Sequence, residues 1–396
     1  MHHRPRLLLP LLAAFVLGCQ NSGRDGPAVE IDAGPVRVYV GTYTGKASKG
    51  IYVMEMDRKT GALTEPRLAA ETKSPSFLAL HPGRKFLYAV GETDSFDGKK
   101  TGSVAAFAVS TDGSLTKLNE QPSGGTGPCH LDVDRRGRCL FVANYGGGSV
   151  ALLPVKEDGS LDPPASVVQH KGSSVNKQRQ EAPHAHCANV APSTAFRDPP
   201  GGRVLVADLG LDKLLIYDFE CGRNRRLGHD PHEKSTNPGG GPRHLAFSPG
   251  GRFVYVNNEL TSTVTAFTYN DATGALKEIH TVPTLPAEFD GSRNSTAEIA
   301  VHPSGKFVYV SNRGHDSIAI FKVDEASGKL TPAGHESTQG KTPRNFGIDP
   351  SGRFLLAANQ NSDTVVVFRI DEKTGDLTPT GAKASVPTPV CVTFGE

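Results

Sequence analysis

A short hairpin phrase recurs along this chain: apolar-x-apolar, a turn rich in Pro, Gly and Arg or Lys, then an aromatic-apolar strand running to Asn or another small residue. It appears as Phe77-Leu78-Ala79-Leu80-His81-Pro82-Gly83-Arg84-Lys85-Phe86-Leu87-Tyr88, and again over His130 to Asn144, His244 to Asn257, Glu298 to Ser311 and Asn345 to Ala358, with a looser copy from His186 to Asp208. The copies start about 50 residues apart, and such a period with several strands per unit marks a β-propeller. A propeller brings the equivalent position of every repeat to one axis. Residues far apart in sequence therefore become neighbours there.

Each repeat offers four strand-like pieces, the last preceded by a Gly-x-Leu turn at Gly61, Gly113, Gly159, Gly274, Gly328 and Gly375. The ends of the chain do not each complete a unit. Val36 to Tyr43 and Gly50 to Met56 begin an N-terminal blade that lacks its first strand, whereas Val390 to Phe394 is a single strand left over at the C-terminus. The expected fold is all-β: a seven-bladed β-propeller with four antiparallel strands per blade, its ring closed by the C-terminal strand joining the N-terminal blade and leaving no open sheet edge. A length of 396 residues would otherwise suggest two or three domains, but a repeat filling the chain favours one array over 36–396.

The first 35 residues are of another kind. Arg4 and Arg6 precede an apolar run from Leu7 to Leu17, too short to span a bilayer and suited to the core of a signal peptide. It ends in Val16-Leu17-Gly18-Cys19, similar to the bacterial lipoprotein box, so residues 1–19 read as an export leader with Cys19 as the lipidation site. Residues 20–35 read as a flexible tether. The expected location is periplasmic or at the outer membrane, with membrane attachment through lipid only. Lys plus Arg number 43 against 41 Asp plus Glu, which gives no electrostatic case for nucleic acid. The other five cysteines, Cys129, Cys139, Cys187, Cys221 and Cys391, match neither a zinc nor a CxxC spacing and are read as free structural thiols without a disulfide. A monomer is expected.

Superposing the repeats puts His130, His186, His244, Glu298 and Asn345 at one blade position, with Phe77 and Cys391 in the remaining two blades. A purely structural ring would favour apolar or small residues there. Strand alternation points His184 and His186 the same way. A second ring lies at the ends of the following strands, with Tyr145, Asp208, Glu259, Arg313 and Gln360, and Arg243 and Arg344 add cations. Imidazole, carboxylate and guanidinium groups supply a general base, a general acid and a donor for an anion or oxyanion. His186, Arg243, Glu259, Arg313 and Glu298 form the expected catalytic set. His130, His184, His244, Asn345 and Asp208 are the surrounding substrate contacts. Asn144, Asn258, Asn312 and Asn359 are expected to satisfy turn backbone instead, and His81 and His302 to lie at the surface. Two His with a Glu could bind zinc, but no third ligand stands at a motif spacing and the arginines oppose a cation, so neither metal nor cofactor is expected. No Gly-x-Ser-x-Gly elbow is present and no cysteine has a nucleophile context. The polar stretch from His170 to Ala182 is the one long interruption.

Several stretches together resemble the seven-bladed lactonase propellers, which include bacterial 6-phosphogluconolactonases and fungal carboxymuconate-lactonizing enzymes. They are Tyr39-Val40-Gly41-Thr42-Tyr43-Thr44, Asn144-Tyr145-Gly146-Gly147-Gly148-Ser149-Val150, Arg179-Gln180-Glu181-Ala182-Pro183-His184-Ala185-His186, Gly241-Pro242-Arg243-His244, Asn258-Glu259, Ala297-Glu298-Ile299 and Ser311-Asn312-Arg313-Gly314-His315. The resemblance implies a site at His186, Arg243, Glu259 and Arg313 with Glu298 close by, and adds Arg179 and Gln180 as substrate contacts. It implies hydrolysis of a sugar-derived lactone by general acid-base catalysis. A lactonizing or cycloisomerase reaction and a non-enzymatic binding scaffold remain the alternatives. The leader sets this chain apart from a cytosolic sugar-phosphate enzyme and leaves the substrate open.

Overall fold

The computed structural model describes residues 1, 2, 34–45, 47–192 and 201–395; the expected leader, Cys19 and nearly all of the tether lie outside them. Of the two units into which the chain divides, 1–34 and 35–396, the second carries the fold.

Seven antiparallel sheets follow one another around a central channel. Their inner strands are Leu78–Leu80, Pro128–Val133, Ala185–Val190, Pro242–Phe247, Ser295–Val301, Pro343–Ile348 and Pro389–Phe394, numbered here as blades 1 to 7. Blade 7 is the expected closure. Pro389–Phe394 pairs with Val36–Thr42, Val392 lying opposite Val40, and Gly50–Met56 and Arg67–Glu71 complete the sheet. Blade 3 departs from four strands: its third strand, Lys213–Glu220, pairs with two short pieces, Arg226–Leu227 and His232–Ser235. It is also the repeat without a Gly-x-Leu turn.

That turn has a packing role between blades. Gly375 in blade 6 has φ +81°, and a Cβ there would come within 2.4 Å of the Phe307 ring in blade 5. Two side chains of one strand of blade 5, Phe307–Arg313, thus read the turn of blade 6, because Tyr309 also donates its hydroxyl to the Gly375 carbonyl at 2.9 Å. The same arrangement recurs at Gly159, against Phe86 and with the Tyr88 hydroxyl 3.0 Å from its carbonyl. Only glycine combines this backbone angle with so close an approach.

At the interface of blades 2 and 3 the residue equivalent to Phe86 is Cys139, and it is joined to Cys221 in a disulfide with a Cα separation of 6.0 Å. This corrects the expectation of free thiols throughout. Pairing was invisible in the spacing because the two cysteines lie 82 residues apart and meet only when one blade stacks on the next. Cys129, Cys187 and Cys391 are free and buried. The surface reading of the turn histidines is corrected as well. His302 is buried with Nε2 2.8 Å from the Gly352 carbonyl of the next blade, and half-buried His81 places Nε2 3.2 Å from the Gly137 carbonyl. A histidine beside a turn can brace the neighbouring blade as readily as face water. Three of the four strand-end asparagines do hold turn backbone: Asn144 Nδ2 donates to the Ser123 carbonyl at 3.1 Å, Asn312 to that of Thr284 at 2.8 Å and Asn359 to that of Thr338 at 2.9 Å, whereas Asn258 donates to the Thr263 and Thr265 hydroxyls instead.

Candidate active site

The inner strands do not keep strict alternation where they enter the channel. Register shifts fall between Pro128 and His130, Ala185 and Cys187, Pro242 and Leu245, Thr296 and Ile299, and Pro343 and Asn345. A bulge sets two residues against one and re-aims a side chain. In blade 4 Arg243 and His244 together face Asn257, so adjacent residues both turn inward and both are buried. Alternation alone would have sent one of them outward.

Above these bulges Glu259 gathers three guanidiniums. Arg179 Nη2 donates to its Oε1 at 2.8 Å, Arg243 Nε lies 2.9 Å from Oε2 and Arg313 Nη2 3.1 Å from Oε2. Burial would push this carboxyl up, but the Arg313, Arg243 and Arg179 charges outweigh it and hold it at about 2. Glu259 is therefore a permanent anion and cannot serve as the general acid that the sequence had left open for it. His186 presents Nε2 to the same carboxylate at 3.9 Å and Nδ1 to the Cys129 sulfur at 3.6 Å. Burial, reinforced by Arg243 and His244, pulls its pKa well below the ordinary histidine range, so the ring is neutral. Cys129 is pushed up by burial and stays a thiol, which removes it as a nucleophile.

Four further groups complete the upper wall. Glu92 accepts the Tyr43 hydroxyl at 3.0 Å and that of Ser76, and the Arg344 guanidinium lies 5.3 Å above the Tyr43 ring. Arg344 makes no ion pair with any described residue. Its donors are available to an anion.

On the axis below, His130, His186 and His244 pack edge to face, with ring centroids 5.2 Å apart for His130–His244 and for His186–His244. Phe77 covers His130 at 4.1 Å. Glu298 accepts at Oε1 from the Ile299 N–H at 2.9 Å and meets His244 Nδ1 at 3.0 Å, while its Oε2 takes the Asn345 amide. Burial pushes this carboxyl up to about 7, against the pull of Arg243. The channel widens again beneath, into an opening of about 390 Å³ lined by Phe247, Ala300, Val301, Phe346 and Thr393 among others.

The expected residues thus separate into an upper group and a floor. Arg179, Arg243, Glu259 and Arg313 meet above, while His130, His186, His244, Glu298 and Asn345 form the floor, from which His186 faces the Glu259 carboxylate. His184 stacks on Tyr145 at 4.5 Å with Nδ1 3.0 Å from the Tyr145 carbonyl, so it braces the wall. Two expected contacts are structural instead. Gln180 is buried with Nε2 donating to the Leu209 carbonyl at 2.8 Å, and Asp208 accepts the His184 and Leu211 N–H groups and pairs with His170 at 2.6 Å. Both pin the 170–182 stretch, and that anchoring is what delivers Arg179 to Glu259. Tyr43 and Glu92 were missed although the signal was present: they follow Thr42 and Gly91 as Glu259 follows Asn258, in the two repeats where the strand-end ring was not extended.

The chain is similar to known proteins along its whole body. The family model described as "Lactonase, 7-bladed beta-propeller" matches residues 37–394. A 6-phosphogluconolactonase of Bacillus subtilis is 41% identical over 357 residues, 90% of this chain and 97% of the relative. One from Formosa agariphila is 35% identical over 78% of this chain and 86% of its own length. The structure of a periplasmic gluconolactonase of Pseudomonas aeruginosa superposes with a TM-score of 0.83 at 34% identity, covering 92% of this chain and 99% of that one. With its closed ring, its guanidinium-ringed carboxylate and this match along the whole body, the chain belongs to the seven-bladed β-propeller lactonase family.

Proposed function

We propose that this chain is a lactonase that hydrolyses a sugar-derived lactone, a carboxylic ester hydrolase acting at the upper mouth of the channel. The observation that carries the reading is the arrangement of Arg179, Arg243, Arg313 and Arg344 around the two carboxylates Glu259 and Glu92, which leaves the mouth cationic. Ester hydrolysis develops negative charge on the carbonyl oxygen, and the hydroxy-acid product is itself an anion. Fixed guanidiniums stabilise both without reorganising, and removing one donor from such a site typically costs about 10²–10³-fold in kcat. A surplus of positive charge also suits a substrate bearing a phosphate or carboxylate. The proton of the attacking water passes to a buried neutral imidazole, which the sequence assigns to His186.

The chemistry is metal-independent in this proposal, because both carboxylates beside the imidazoles are already engaged: Glu259 by three guanidiniums, and Glu298 by His244, the Ile299 N–H and the Asn345 amide. Export is inferred from the leader, with Cys19 as the lipid anchor, and the disulfide Cys139–Cys221 supports it, since such bonds persist outside the reducing cytosol. To test the function, the body from residue 36 onward is given a panel of aldonolactones, with and without phosphate and with a chelator present. Ring opening above the buffer rate is expected, unchanged by the chelator; a panel left at the buffer rate rejects the reading.

A further inference from the structure

Three neutral imidazoles share the floor of the channel, and hydrogen bonding distinguishes which of them carries a lone pair that can accept a proton. His130 uses Nδ1 to accept the Ala188 N–H at 3.3 Å, so its proton is on Nε2 and its lone pair is occupied. His186 faces the Glu259 carboxylate with Nε2, which favours the proton there and leaves the lone pair on Nδ1 against the Cys129 thiol. His244 is the reverse case. The Asn345 carbonyl oxygen accepts the Val392 N–H at 2.8 Å, which fixes that amide and aims its NH₂ at Glu298. Once ionised, above about pH 7, Glu298 is a carboxylate surrounded by donors, so His244 presents Nδ1–H to it and keeps the lone pair on Nε2. That Nε2 is buried and has no hydrogen-bond partner among the described residues.

His244 also lines a small cavity beneath the guanidiniums together with Arg243, Arg344, Glu92, Ser76 and Asn345, and His186 does not. The space is about 10 Å³, close to the least that holds one water, and it offers the two to four polar partners a water needs. We propose that this cavity holds the hydrolytic water and that His244 is the base that activates it, with Glu298 and Asn345 as positioning residues. The inference rests on the lactonase reading and deepens it. The water oxygen bonds to the lactone carbonyl carbon while one O–H bond breaks and its proton goes to His244 Nε2. The resulting oxyanion faces Arg243 and Arg344. On collapse the ring C–O bond breaks, Nε2 returns the proton to the departing ring oxygen, and the hydroxy acid loses its acidic proton to solvent. Glu298 holds the tautomer and stabilises the transient imidazolium, the task of the third member of a nucleophile-base-orienter set.

The experiment compares His244→Gln, Glu298→Gln and His186→Asn with wild type in kcat, KM and the pH profile of kcat. His244 is touched by Glu298, His130, His186 and Phe77 and feels the charges of Arg243, Arg344, Glu259 and Arg313, and its titration is read in that setting. His244→Gln is expected to lower kcat by about 10²–10⁴-fold while the hydroxy-acid product still inhibits competitively. Glu298→Gln, which withdraws the counter-charge from the imidazolium, is expected to move the acid limb of kcat to lower pH; this arm decides if His244→Gln does not fold. The proposal is overturned if His186→Asn loses more kcat than His244→Gln, or if Glu298→Gln leaves the acid limb in place. A wild-type protein that opens no lactone overturns the lactonase reading and this inference together, whereas an active wild type with the wrong ranking overturns this inference alone.

Discussion

Glu259 and Glu298 belong to neighbouring blades, both are buried and both face the channel, yet one is held at about 2 and the other pushed up to about 7. Burial acts on both in the same direction. What separates them is the company supplied by the bulges and the 170–182 stretch: three guanidiniums against Glu259, an imidazole, an amide and a backbone N–H against Glu298. The same side chain is thus a fixed counter-ion in the upper layer and a proton-exchanging neighbour of histidine in the lower one. Pairs of carboxyls driven apart in this way mark division of labour in hydrolytic sites.

The largest effect on that contrast is expected from Glu259→Gln. It leaves Arg179, Arg243 and Arg313 facing one another without a counter-charge, and breaking a buried ion pair from one side costs about 3–5 kcal/mol; urea denaturation reads the loss. Reducing the Cys139–Cys221 bond comes next, at about 2–4 kcal/mol, the usual range for a disulfide. It disturbs an interface remote from both carboxylates, so the pH dependence of kcat in reduced protein should be unchanged even though the denaturation midpoint falls.

Smaller effects separate the two groups by pH. Glu259, with its pKa below the ordinary 4.5, adds stability above that value which is lost as the pH falls towards about 2; wild type and Glu259→Gln should converge over that window in acid denaturation. Glu298 has the opposite sign. Its neutral form is favoured in the fold, so the contribution is complete below about 4.5 and is lost as the pH rises through about 7, where Glu298→Gln should gain on wild type. Arg344→Gln gives the smallest change in stability, within about 1 kcal/mol for a lost cation–π contact. Its KM for anionic lactones should nevertheless rise.

The ring, its closure by Pro389–Phe394 and the gathering of His186, Arg243, Glu259 and Arg313 could all be read in the sequence, because a repeat transmits position faithfully from blade to blade. Three things could not. The bulges that turn Arg243 and His244 inward together break the alternation on which the reading depended. The role of Gln180 and Asp208 in anchoring the 170–182 stretch follows from contacts across a long irregular segment with no periodicity. The disulfide stands where the repeat would place a phenylalanine, so its partner could be found only from how blades 2 and 3 stack. Tyr43 and Glu92, by contrast, were available to the repeat and simply lay in copies with less typical wording.

The most direct test measures proton release at constant neutral pH as purified protein is mixed with an anionic aldonolactone, for wild type and for Arg243→Met. The account predicts one proton released for each lactone opened by wild type and a kcat about 10²–10³-fold lower without the guanidinium. Equal rates for the two proteins, or a wild-type rate equal to that of buffer, would contradict it.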